Sequence, residues 1–100
     1  MELKKLSNKK LINLSDDEIY NLTTDEHKEI CRRLYNAALL RRRIALLEST
    51  LEGSNRLMIM APDEFKDPAD REALIYIQYA YIHAKTIEDK DFMNTLRKEK

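Results

Sequence analysis

One amphipathic segment dominates the chain: from Thr23 to Glu52 neither glycine nor proline interrupts it, and it stops at Gly53, the only glycine. Thr23 and Glu26 match a capping box, and Asp25 adds negative charge to the first turn. With Gly53 read as the terminator, the segment predicts one helix from about Thr24 to Glu52, roughly 40 Å long. At about 100° per residue, Ile30, Leu34, Ala37, Leu40, Ile44, Leu47 and Leu51 form one stripe. Cys31, Ala38 and Ala45 widen that stripe, while Tyr35, Leu39 and Leu46 lie almost opposite it. Only Arg32, Asn36, Arg43 and Thr50 make a clean polar strip, so such a helix needs cover on more than one side.

A second long helix is predicted from Asp67 as N-cap, with Pro68 in the first helical position, to at least Thr86. Ala73, Ile77, Ala80, Ala84 and Ile87 give it a narrow face of mostly small residues that admits a close neighbour. The run Ala73–Ile82 is rich in strand formers, but the caps and the flanking Ala, Glu and Lys favour a helix. Shorter helices are expected after Ser15 and over Asp91 to Arg97. Residues 1–14 read as a basic arm, flexible or ordered, or a weak helix, and residues 97–100 as a frayed tail. The expected architecture is all-α: one domain over residues 1–100, an antiparallel hairpin of two long helices with short flanking helices. Both helices are apolar on more than one side, so self-association is expected to complete the core as a homodimer or larger oligomer.

Composition removes several classes of function. Cys31 is alone, so no intrachain disulfide can form, and the apolar run Leu74–Ile82, broken by Gln78, is too short for a bilayer span. Met1–Ser7 leads into Asn8-Lys9-Lys10 instead of an apolar signal core, which points to a cytoplasmic protein with no membrane association. The 18 basic and 18 acidic residues cancel, but in blocks: residues 1–14 carry +3, 15–29 carry −5, 30–51 carry +4, 52–72 carry −3. A neutral total argues against nucleic acid as the partner. One glycine cannot build a phosphate-binding loop, and His27, Cys31 and His83 lack metal-ligand spacing. No cofactor or metal is expected.

Several polar residues stand where a plain core would not put them. Arg41 and Glu48 project onto the apolar stripe, and Arg33 falls inside its arc; a buried charge costs several kcal/mol unless paired. Either an Arg–Glu pair fixes the register of an oligomer, or Arg33, Arg41 and Arg42 clamp a small anionic ligand at a subunit junction. On the second long helix Glu72, Tyr76, Tyr79 and His83 share one face, either as a core edge with hydroxyls in water or as a binding surface. Asp16, Asp17, Glu18, Asp63 and Glu64 form acidic turns suited to a basic partner groove. Met58 and Met60, in the apolar run before Pro62, read as a lid or a contact.

The order of an Arg-bearing long helix, a connector, Asp67-Pro68-Ala69-Asp70-Arg71-Glu72 opening another helix, and Asp91-Phe92 near the end resembles the all-helical chorismate mutases. That resemblance rests on Arg71-Glu72 and on Arg41 or Arg43, and implies a dicarboxylate gripped inside an intertwined helical dimer. The connector lacks the expected lysine, and the last helix lacks the glutamine. Without further catalytic signatures, the preferred expectation is a non-enzymatic regulator, adaptor or inhibitor that binds another protein. Its composition is common among phage and mobile-element proteins. The alternatives are an oligomer that sequesters a small anionic ligand such as a nucleotide signal, and a mutase-like enzyme.

Overall fold

In a computed structural model, which describes residues 2–99, the chain is all-helical: a 3-10 turn at Leu3–Lys5 is followed by α1 (Asn8–Leu11), α2 (Asp16–Tyr20), α3 (Thr24–Ala38), α4 (Arg42–Glu48) and α5 (Leu51–Ile59). A 3-10 turn at Pro62–Glu64 then leads into α6 (Pro68–Thr86) and α7 (Phe92–Lys98). Starts follow local chemistry. Ser15 and Thr23 cap α2 and α3 through capping boxes with Glu18 and Glu26, and the Asp67 side chain accepts from the Ala69 N–H behind Pro68. α6 ends at Thr86, inside the predicted bounds.

α3 packs against α6 as the centre of the molecule, burying Ile30, Cys31, Leu34, Ala38, Ala73, Leu74, Ile77 and Ala80. His27 in the first turn of α3 meets His83 near the end of α6, while Arg41, just past α3, meets Asp70 in the first turn of α6. The two helices therefore run in opposite directions, and Ala73, Ile77 and Ala80 supply the small face that lets them close.

The expected continuous helix over residues 24–52 is not what forms. The chain breaks at Leu39–Arg41 and again at Ser49–Thr50, giving α3, α4 and α5. Arg41 is extended (φ −87°, ψ 119°) and its guanidinium reaches Asp67 and Asp70, each at 2.9 Å. Thr50 is extended too, and its hydroxyl accepts from the Gly53 N–H at 3.0 Å, capping α5. The misfit that the stripe posed is resolved by pairing: at the first break Arg41 meets Asp67 and Asp70, and from α4 Glu48 meets Arg97. Gly53 is thus no terminator. It sits in the first turn of α5, where a Cβ would overlap the Leu47 carbonyl oxygen and stand 2.8 Å from its carbon.

Both chain ends are held against the body of the molecule. The arm over residues 2–14 is folded down: Leu3 and Leu11 are buried while Lys4, Lys5, Lys9 and Lys10 face outward. Arg97, expected at the end of a short helix and the start of a frayed tail, lies in α7 and, half-buried, reaches the buried Glu48 carboxylate; Lys100 lies outside the described residues.

Candidate functional site

Of the residues expected to grip an anion, Arg33, Arg41 and Glu48 are engaged inside the chain. Arg33 donates to the carbonyls of Leu3 (2.9 Å) and Leu6 (2.8 Å) and to Asn8 Oδ1 (3.0 Å), pinning the arm to α3. Arg41 joins Asp67 and Asp70, not Glu48. The Glu48 carboxylate, almost wholly buried, accepts from Arg97 Nε at 2.6 Å and from the Tyr81 and Tyr35 hydroxyls. Ser54 closes the network, with its Oγ 3.2 Å from the Tyr81 hydroxyl and 3.1 Å from an Arg97 nitrogen. Burial and then the Glu48 charge push the Tyr35 phenol up to about 12. The pair anticipated in the sequence, Arg41 with Glu48, does not form; Glu48 takes Arg97 of the same chain as its cation and Arg41 takes Asp67 and Asp70.

The tyrosine and histidine cluster separates. Tyr76 donates to Glu72 at 3.0 Å, Tyr79 is half-buried at the core edge, and His83 turns inward to His27. The two imidazole Nδ1 atoms are 2.8 Å apart, so one ring donates to the other, and His83 Nε2 has no partner. Burial, reinforced by His27, drives His83 down to about 4; burial also lowers His27. Both rings are therefore neutral at pH 7. Cys31 is buried with Sγ 3.7 Å from the Met93 sulfur, and burial pushes its thiol up to about 12, so it is an unreactive core residue. Among the described residues no three His, Cys, Asp or Glu side chains group to hold a metal ion.

Of the residues behind the mutase resemblance, Arg71 donates to the Phe65 and Lys66 carbonyls, Glu72 accepts from Tyr76, and Arg43 stacks over Phe65 at 5.8 Å from the ring centroid. Arg41 and Glu72 do border one cleft, of about 460 Å³, between the ends of α3 and α6. Another cleft, of about 470 Å³, opens beside the Glu48 network between α3, α4 and Arg97.

The surface with unmet chemistry lies on α4 and α5. A groove of about 520 Å³ is lined by Arg42, Arg43, Leu46 and Leu47 from α4, Arg56 from α5, and Met60 and Phe65 from the connector. Its position is fixed from α6. Gln78, the polar break in the apolar run, donates to the Leu57 and Met60 carbonyls at 2.8 and 2.7 Å, satisfying the end of α5. Arg71 holds the Phe65 end, and Arg41 anchors the start of α4. On α4, Ile44 and Glu48 point inward, which turns Arg42, Arg43 and Leu46 out. No ion pair to Arg42, Arg43 or Arg56 forms among the described residues. Leu46 is 60% exposed, and Leu51, Met58 and Ile59 are exposed on α5.

The acidic candidates fall elsewhere. Asp16, Asp17 and Glu18 are exposed on α2 at the far end of the α3–α6 pair, beside Tyr20, His27 and Thr86. Glu18 serves the α2 capping box, and hydrogen bonds from Ser15 lower its carboxyl. Glu64 accepts from the Ala61 N–H; Asp63 is exposed. Sequence reasoning named Arg42 and Met60 but missed Arg43, Leu46, Arg56 and Phe65 as a groove, since the bend between α4 and α5 creates it. The outward pairing of an Arg run with Leu46 was the signal available.

No protein-family model, curated protein or solved structure matches the chain. Among the described residues, no helix is long and apolar enough to cross a membrane. The geometry of the groove is thus the main guide to function.

Proposed function

We propose that this chain is a non-enzymatic helical regulator, adaptor or inhibitor that works by binding an acidic protein segment carrying an apolar anchor. One observation carries the reading: the α4–α5 groove joins an apolar floor to three arginines that have no carboxylate partner, around an exposed Leu46. Arginine and exposed apolar side chains at a groove are what a protein interface uses, with charge setting the choice of partner and apolar area holding it. Self-association, proposed with it, draws on the same face, since the α3 and α6 faces cover each other. The arginines that would have gripped a small ligand at a subunit junction are engaged within the chain, except Arg42, which lies in the groove.

The test places a photo-crosslinking amino acid at position 46 in cells of the source. The expected result is an adduct of discrete protein mass that disappears when Arg42→Glu, Arg43→Glu and Arg56→Glu are combined. An adduct unchanged by that triple variant would overturn the reading. So would a nucleotide-class anion that raises the melting temperature through these arginines while no protein adduct forms.

A further inference from the structure

Two surfaces of opposite charge without ion-pair partners among the described residues lie apart on this molecule. One is the α4–α5 groove, with Arg42 and Arg43 past the C-terminal end of α3 and Arg56 alongside α6, around Leu46. The other presents α2, where Asp16 and Asp17 make no ion pair among the described residues and Tyr20 is 87% exposed. A ring so exposed beside two carboxylates has the chemistry the groove lacks: charge for its arginines and an aromatic face for Leu46 and for guanidinium stacking. A copy cannot fill its own groove. The 15 residues of α3 separate α2 from α4 by roughly 22 Å of helix.

We infer that the groove of one copy takes the acidic α2 of a second copy, with Asp16 and Asp17 against the arginines and Tyr20 on Leu46. This rests on the groove reading above and names its occupant. In this arrangement a two-fold pair of copies, each lending α2 to the other's groove, makes both contacts in one closed assembly. The formal net charge of zero adds no overall repulsion to that approach.

Charge swapping tests it by sedimentation velocity at about 100 µM, where a small transient interface is populated. The wild type is expected to be dimeric. Arg42→Glu/Arg43→Glu/Arg56→Glu alone and Asp16→Lys/Asp17→Lys alone are expected to be monomeric, because each then opposes like charges. Mixed in equal amounts, the two variants should re-form a 1:1 dimer, since each reversed surface meets the other's complement. A monomeric wild type, a dimer that survives in either variant alone, or a mixture that stays monomeric would overturn the inference. If the triple variant does not fold, Tyr20→Ala and Leu46→Lys, both at exposed positions, must each dissolve the dimer. A monomeric wild type that still gives an arginine-dependent adduct from position 46 would leave the groove reading standing and remove self-docking alone.

Discussion

The buried histidine pair converts burial into pH dependence. His83 is 1% exposed, and its partnerless Nε2 is least costly as a bare lone pair, with Nδ1–H donating to His27. Its folded value of about 4 lies below the ordinary 6.5, so between these limits the unfolded chain binds the extra proton. Stability is complete above pH 6.5 and is lost as pH falls toward 4, by about 3 kcal/mol if the whole difference is expressed. Thermal melts from pH 7 to 4 should show this fall, and His83→Phe should flatten it relative to wild type. Equal slopes in the two proteins would assign the acid sensitivity to carboxylates instead. Gly53 is a steric counterpart. Although alanine favours helices by about 1 kcal/mol over glycine, Gly53→Ala drives a methyl into the Leu47 carbonyl and should cost about 3 kcal/mol in chemical denaturation.

Elements were legible wherever their signals are local. The caps at Ser15, Thr23 and Asp67 sit within three residues of the groups they satisfy, and each opens a helix where expected. The breaks in the long segment were not legible, because Arg41 is held by Asp67 and Asp70, 26 and 29 residues away, and Glu48 by Arg97, 49 residues away. The sequence did show the misfit, two charges on an apolar stripe, without showing its remedy. The groove escaped for the same reason, since it exists only once α4 and α5 are bent apart. α7 is thus a structural staple. Arg97→Ala leaves the Glu48 carboxylate buried without a cation and should cost about 3 kcal/mol, read as a lowered denaturation midpoint. Arg33 ties down a different element. Arg33→Ala should free the arm, with faster amide exchange and proteolysis over residues 2–14, while α3 and α6 keep their protection.

At the scale of the whole molecule, the charge blocks become geography. The strongly acidic residues 15–29 lead into the basic stretch 30–51, and the fold sets Asp16 and Asp17 at one end of the α3–α6 pair and Arg42 and Arg43 at the other. The contact proposed between copies sets exposed charges against each other, so it should answer to ionic strength more than the fold does. Screening shortens from about 10 Å at 0.1 M salt to about 3 Å at 1 M, which weakens exposed Arg–Asp contacts between copies. The Glu48–Arg97 contact, closed in by Tyr35 and Tyr81, is screened far less. Raising salt from about 0.05 to about 0.5 M should therefore weaken the proposed dimer at least about tenfold in sedimentation, with little change in melting temperature at dilute protein. Association that strengthens with salt would shift the contact from the arginines to the apolar face of α5, where Leu51 and Ile59 stand 79% and 84% exposed.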